Sequence, residues 1–240
     1  MGAALQITSA ELDLKQQRST VDSEHYNFSL FGSYQHRPQW LFDASISSAL
    51  LDYDTDRTIN FSLSGAPTFG KVRSSTRANQ WEFNLGSSYD WSFSNAFEIT
   101  ALGSFNFTNS TVKAYQEKGN TGLELNVDKQ TNQNSSAKVL TEIRRAYGTR
   151  WGAWVPQAAV AWVHQFGDQN HAVNATFAAD PNAIQFGFNT EAADSDYFNL
   201  LVGSYIGLPR GLSAFIQLES VLGLKDYSAT NLSLGFRTEL

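Results

Sequence analysis

The sequence predicts an all-β fold: an antiparallel transmembrane β-barrel of about twelve strands, of the outer-membrane type. Three observations favour it. Apolar and polar residues alternate with period two in segments of about ten residues, short polar turns alternate with longer connections, and aromatic residues, 13% of the 240, gather near the ends of these segments. No segment shows a convincing helical period.

The alternation is clearest in the segment WEFNLGSSYDWSF, residues 81–93. Its odd-numbered positions, from Trp81 to Phe93, are mostly apolar, and its even-numbered positions, from Glu82 to Ser92, are polar or glycine. The pattern recurs in 26–34, 97–107 and 231–240. Such segments are typical of strands with one apolar face.

Breaks rich in Pro, Gly, Asn, Asp and Ser predict tight turns at 35–39, 93–96, 131–136, 166–170 and 208–211. Different, mostly longer, connections are predicted at 15–22, 53–78, 108–121, 147–150, 190–195 and 223–228. The strands between them are predicted at 2–14, 22–35, 39–52, 79–93, 96–107, 121–131, 136–146, 151–166, 171–189, 195–207, 211–222 and 228–240. The stretch 57–64 stays open: it extends the third strand, forms its own, or belongs to the loop. An even number of strands places both termini on the short-turn side.

A soluble β-sandwich shows the same alternation, so the aromatic positions decide between the two. One belt is predicted near the short turns, formed by Tyr34, Trp40, Trp91, Phe93, Trp162, Phe166 and Tyr205. A second is predicted near the longer connections, formed by Tyr53, Tyr147, Trp151, Trp154 and Tyr197. Aromatic girdles at both strand ends favour a barrel embedded in lipid, in which the last strand must pair with the first.

The opposite, polar face is predicted to line a hydrated lumen. Its charged members are Glu82, Asp90, Glu98, Glu124, Glu219, Arg237 and Glu239. Each of them either lines a conduit or only solvates the lumen, and the sequence leaves that choice open.

Composition and motifs exclude several function classes. A net charge of −6 without a Lys/Arg cluster argues against a nucleic-acid partner. No nucleotide-binding or nucleophile-elbow motif is present, and no cofactor, catalytic group or metal site is predicted. The run DYDTDR has Arg57 where a calcium loop needs Gly, which leaves only a weak cation site open. The carboxylates at 52, 54, 56, 191, 194 and 196 have no adjacent histidine.

The chain resembles the C-terminal translocator domain of autotransporters, the type V secretion proteins of Gram-negative bacteria. The resemblance rests on collinear motifs along nearly the whole chain: GAAL (2–5), YNFSLFGSY (26–34), DYDTDR (52–57), NLGSSYDW (84–91), ITALGSFNF (99–107), AYQEKG (114–119), LELNVDKQ (123–130), VPQAAVAWVHQF (155–166) and LSLGFRTEL (232–240). It implies a twelve-stranded outer-membrane barrel that anchors an N-terminal passenger and assists its export, with a helical linker in the pore. It further implies contacts with outer-membrane lipid and with the barrel-assembly machinery.

Carried over by position, the assembly signal of that family falls on Gly235, Phe236 and Leu240. The chain departs from the family pattern in three places. Leu240 stands where the terminal Phe is usual, and Glu142 stands where Gly usually precedes the arginine motif of the seventh strand. The passenger and linker are absent before Met1, so we expect one barrel domain over 1–240, truncated at its N-terminus. The rival interpretations are a porin-like channel and an outer-membrane barrel enzyme or adhesin.

Overall fold

The computed structural model describes residues 1–14, 19–63, 66–93, 96–167, 172–189, 194–209, 211–225 and 228–238. These ranges contain strands and no helix. The strands are β1 (Gly2–Leu14), β2 (Ser19–Arg37), β3 (Trp40–Leu63), β4 (Ala66–Phe93), β5 (Phe97–Val112), β6 (Tyr115–Gln116), β7 (Leu125–Val127), β8 (Gln130–Arg145), β9 (Tyr147–Thr149), β10 (Gly152–Phe166), β11 (Ala172–Phe177), β12 (Phe186–Asn189), β13 (Asp196–Gly207), β14 (Leu212–Leu222) and β15 (Ala229–Thr238).

The main sheet is an antiparallel meander in the order β1-β2-β3-β4-β5-β8-β10-β13-β14-β15, with β9 paired to β10. Each long strand therefore lies beside the next long strand in the chain. Within the described residues, β1 pairs only with β2 and β15 only with β14. The sheet is accordingly open, with an unpaired edge at each of these two strands.

The connections differ at the two ends of the main sheet. We call one the turn end, where Arg37 pairs with Trp40 and Phe93 pairs with Phe97 across tight turns. The other is the loop end. The first strand begins toward the turn end and the last strand finishes there, as an even number of long antiparallel strands requires.

The loop end extends well beyond the rest of the sheet. The strands β3 and β4 stay paired as far as Leu63 and Ala66, whereas β2 leaves β3 at Asp56. A second sheet, in the order β12-β11-β7-β6, lies beside this hairpin and is joined to β4 by a bridge between residues 73 and 118.

The best buried apolar side chains also cluster toward this end. Among them, Val72 is 0% exposed, Ala175 2% and Val127 5%. The conventional hydrophobic core therefore lies mainly at the loop end, outside the region where the long strands form most of the sheet.

The structure corrects the predicted strand pattern in the middle of the chain. The predicted loop at 53–78 forms most of the long β3–β4 hairpin, so the described residues 57–63 of the open stretch 57–64 extend the third strand. The predicted turn at 131–136 lies inside β8, and the connection at 147–150 lies at the turn end. The predicted strands 121–131 and 171–189 supply mainly the short β7, β11 and β12.

Ten long strands, rather than twelve, consequently form the main sheet in the described part of the chain. The physical reason is that the parts of the strands that extend at the loop end carry polar residues on both faces. Their composition is then that of turns and loops, although their backbone continues the ladder.

Candidate functional site: the polar face of the main sheet

The main sheet has one polar and one apolar face. Directly opposed residues of neighbouring strands share a face, so each face can be followed from strand to strand through the register. Asn84 of β4 lies opposite Ser45 and Asn106, while Phe83 lies opposite Ile46 and Phe107. We call the face that carries Asn84 the polar face and the face that carries Phe83 the apolar face. The predicted alternation of β4 and β5 is confirmed.

The apolar face is the more exposed of the two. Leu85 is 50% exposed, Leu234 69% and Phe236 82%. On β2 the aromatic Phe28 is exposed, whereas its polar neighbours Asn27 and Ser29 are partly buried. A water-soluble sheet shows the reverse arrangement, with its apolar face packed inward. The apolar face therefore requires an apolar surrounding.

A carboxylate and two amides form a hydrogen-bonded cluster on the polar face. The amide nitrogens of Asn84 and Asn106 donate to Glu82 Oε1 at 2.9 and 2.7 Å. The Asn106 nitrogen also contacts Asn84 Oδ1 at 2.6 Å. Among the described residues these bonds hold the Glu82 carboxylate without an ion pair, which is what a hydrated interior tolerates and an apolar one does not.

An ion pair and a cavity lie nearer the turn end of the same face. Arg144 Nε donates to Glu98 Oε2 at 2.5 Å, and both side chains are partly exposed. They line a cavity of about 620 Å³ together with Gln157, Gln217 and Tyr205. The cavity walls combine charge, amides and aromatic rings, so the polar face suits water and polar solutes.

The structure places most of the predicted lumen residues on the polar face. Those found there are Glu82, Asp90, Glu98, Glu219 and Arg237. The prediction for Glu124 is wrong in position, because this residue lies between β6 and β7 at the loop end. Its carboxylate accepts the Thr121 backbone N–H at 2.7 Å and the Thr121 hydroxyl at 2.9 Å. The backbone bond from Thr121 lowers the pKa of the Glu124 carboxyl. Glu239 lies outside the described residues.

The predicted turn-end aromatic belt is only partly placed where the sequence put it. Tyr34, Trp40, Trp91 and Phe93 lie toward the turn end on the apolar face.

The three other members lie elsewhere. Trp162 and Phe166 lie at the loop end, because β10 runs away from the turn end and its last residue pairs with Ser135. Tyr205 lies on the polar face, opposite Val155 and Phe215. Tyr147, Trp151 and Trp154 were predicted to lie near the longer connections. They lie at the turn end instead, because residues 147–154 form the connection there.

The last strand carries two of the three predicted assembly residues. Phe236 is exposed on the apolar face. Gly235 lies on the polar face against the ring of Phe215, and a Cβ at this position would come within 2.6 Å of Phe215 Cζ. The aromatic ring thus occupies the space that the missing side chain leaves. Leu240 lies outside the described residues.

Two groups of contacts were not found from the sequence. At the loop end Arg57 makes a two-bonded pair with Glu117, with Nε to Oε1 at 2.8 Å and a terminal nitrogen to Oε2 at 2.6 Å. Glu117 is 8% exposed, and it also accepts the Leu125 backbone N–H. This hydrogen bonding with Glu117 raises the pKa of the Arg57 guanidinium. The two residues are sixty positions apart, so only the pairing of β4 with the segment after β5 brings them together.

The second group of contacts joins a histidine to one of the carboxylates at the loop end. It corrects the expectation that none of the carboxylates at 52, 54, 56, 191, 194 and 196 has an adjacent histidine. His164 Nδ1 lies 2.9 Å from Asp196 Oδ1, and the same oxygen accepts the Trp162 indole N–H at 2.9 Å. The histidine follows Trp162 along the apolar face of the sheet. The Ser195 side chain also hydrogen-bonds the Asp196 carboxylate, and this carboxylate links the His164 and Trp162 side chains at the loop end.

The carboxylates of DYDTDR are largely used in ion pairs. Arg77 Nε lies 2.6 Å from Asp52 Oδ1, and Arg73 Nε lies 3.1 Å from Asp56 Oδ1.

In the described part of the chain no helix is long and apolar enough to span a membrane.

Comparison with known proteins gives one family and several solved structures. The sequence matches the family described as "Autotransporter beta-domain" over residues 1–219. A solved outer-membrane channel from Pseudomonas putida F1 is 9% identical, with 97% of this chain and 90% of that chain covered and a TM-score of 0.33. The transport unit of the autotransporter AIDA-I from Escherichia coli is also 9% identical, with coverage of 99% and 88% and a TM-score of 0.25. Both TM-scores are too low to support an inference. No curated protein matches the sequence significantly.

Proposed function

The chain belongs to the autotransporter beta-domain family, whose members are translocator barrels of the Gram-negative outer membrane, and from this premise we propose that it anchors an N-terminal passenger and assists its export to the cell surface. The family is one of transport barrels rather than enzymes. We propose accordingly that this chain has no catalytic role.

The observation that carries the proposal is the exposure of the apolar face. The side chains of Leu85, Leu234 and Phe236 are so exposed that contact with water would cost free energy. Hydrocarbon around this face would remove that cost, and water inside would solvate Glu82, Asp90 and the other polar-face residues. Lipid outside and water inside is the arrangement of an outer-membrane barrel.

We propose further that residues 1–240 form one closed barrel domain. The unpaired edges of β1 and β15 would each present free backbone groups to hydrocarbon, at several kcal/mol per group. The two strands run antiparallel, so their edges can pair directly and close the sheet.

The proposed contacts with lipid and with the assembly machinery follow from the same faces. The girdle residues Tyr34, Trp40, Trp91 and Phe93 would lie at one headgroup layer, and Trp162 and Phe166 at the other. Gly235, Phe236 and Leu240 would form the signal that the barrel-assembly machinery reads. A passenger and its linker helix are the remaining proposed partners.

The direct test is a fusion that places a signal peptide, an epitope-tagged passenger and a helical linker before Met1. Protease added to intact cells is expected to digest the tag, because the passenger reaches the surface. The same passenger without the barrel is the control and stays protected. A tag that stays protected while the barrel is folded in the outer membrane, as judged by heat-modifiable gel mobility, contradicts the proposal.

The porin-like alternative makes a different prediction for the same fusion. A general channel conducts ions steadily in planar bilayers whether or not the linker is attached. A translocator loses most of its conductance when the linker occupies the lumen.

A further inference from the structure

We infer that the polar face carries an acidic band, centred on Glu142, that makes the open lumen selective for small cations. The inference rests on the proposed barrel, because it requires the polar face to enclose water. It adds an ion-conducting activity with a definite charge preference, and it assigns that preference to named residues.

The first part of the band is a continuous row of directly opposed residues. Asp90 lies opposite Thr100, Thr100 opposite Glu142, and Glu142 opposite Ala159. The row then continues through Leu201 to Glu219 and ends at Asn231 of the last strand. It crosses seven neighbouring strands on one face and holds three carboxylates.

A second row runs beside the first, two residues nearer the turn end. It contains Ser92, Glu98, Arg144, Gln157, Gly203, Gln217 and Ser233. A Cβ at Gly203 would come within 2.9 Å of the Gln217 side chain and 3.4 Å of the Gln157 amide nitrogen. Both amides thus bend over the glycine and line the cavity described above.

The charges of the two rows do not balance. They hold four carboxylates, Asp90, Glu98, Glu142 and Glu219, and one guanidinium, Arg144. Arg144 is bonded to Glu98 and is also attracted by Glu142 and Asp90, so a single guanidinium faces the four carboxylates of these rows. Asp90 accepts a hydrogen bond from the Thr100 hydroxyl.

The other basic residues of the polar face lie outside these rows. Lys138 pairs across the ladder with Ser104 and Val163, two rows nearer the loop end. Arg237 lies opposite Ser213, beyond the second row at the turn end. The band is therefore a local excess of negative charge rather than an average of the whole face.

Neighbouring rows on one face are about 7 Å apart and neighbouring strands about 4.8 Å apart. The carboxylates thus follow an oblique path around the wall, since strands are tilted in a barrel. Rings of Asp and Glu side chains are the arrangement by which pores favour cations. Glu142 stands near the middle of the path, between Asp90 and Glu219.

The size of the effect follows from Coulomb attraction. A carboxylate about 5 Å from a hydrated cation in water, with screening at 0.1 M salt, raises the local cation concentration roughly twofold. The same field lowers the local chloride concentration roughly twofold, so each carboxylate removed is expected to lower the permeability ratio of potassium to chloride about fourfold.

The experiment measures the reversal potential of the refolded chain, without a linker, in a planar bilayer under a potassium chloride gradient. The expected ratio of potassium to chloride permeability is above one. Glu142→Gln and Asp90→Asn each lower it about fourfold toward one. Arg144→Gln raises it, because Glu98 then loses its partner. Glu11→Gln, on an exposed position of β1, is the matched control and leaves the ratio unchanged.

A ratio at or below one overturns the inference, as does a ratio that neither Glu142→Gln nor Asp90→Asn changes. A folded barrel that carries no current overturns it as well. Heat-modifiable gel mobility is recorded for every variant, so that failure to form a barrel, which would count against the proposed function, is distinguished from a barrel without selectivity.

Discussion

The position of Leu85 on the apolar face allows a test by substitution. The free-energy cost of an arginine there differs between a sheet embedded in lipid and a soluble sheet. Leu85 lies on the apolar face of β4, between Trp81 and Trp91, and is 50% exposed. Arginine on the lipid face near the middle of a barrel costs about 2–4 kcal/mol. At an exposed site on a soluble protein the same change stays within about 0.5 kcal/mol.

Leu85→Arg is therefore expected to destabilise the folded barrel by about 2–4 kcal/mol, which lowers the ratio of folded to unfolded protein by a factor of roughly 30 to 700. The matched control is Asn84→Arg, on the adjacent position and the opposite face. It is expected to cost less than about 1 kcal/mol, because the new guanidinium meets water and the Glu82 carboxylate.

The assay is urea-dependent folding into phospholipid vesicles, followed by gel mobility without heating and by tryptophan fluorescence. Equal costs for the two variants would refute the assignment of faces. A neutral Leu85→Arg would refute the contact with lipid.

Three further predictions concern the last strand and the loop end. Gly235→Ala is expected to destabilise the barrel by about 1–3 kcal/mol, since its methyl group overlaps the Phe215 ring; the double variant with Phe215→Leu should recover most of the loss in the same vesicle assay. Glu117→Gln is expected to loosen the loop end by about 2 kcal/mol, less than the roughly 3–5 kcal/mol of a fully buried pair because Arg57 is 36% exposed. Faster proteolysis between β6 and β7 with an unchanged barrel band would show it, and an unchanged proteolysis rate would contradict it. Leu240→Phe is expected to speed assembly into the outer membrane or leave it unchanged, and a clear loss of assembly in a pulse-chase experiment would count against the signal.

The sequence predicted the faces of the long strands well, because one property decides them. A strand between lipid and water must alternate, and Trp81 to Phe93 alternates almost throughout. The same rule placed Leu232, Leu234 and Phe236 together, and the structure puts all three on the apolar face.

Prediction failed where strands leave the lipid layer. There both faces are polar, so the run TNQNSS was interpreted as a turn although it lies inside β8. That one error reversed the predicted direction of the next strand and moved Trp162 and Phe166 to the wrong end. Arg57 and Glu117 could not be paired from sequence, because neither local spacing nor a motif links them.

The cysteine-free sequence allows the central claim to be tested by single cysteines along β4, from residue 81 to residue 91, each carrying a spin label in lipid vesicles. Collisions with oxygen, which is concentrated in lipid, are expected to peak at odd-numbered positions. Collisions with a water-soluble nickel chelate should peak at even-numbered positions. Odd-numbered positions that meet the nickel chelate, or a profile without period two, would contradict the account of a sheet with lipid outside and water inside.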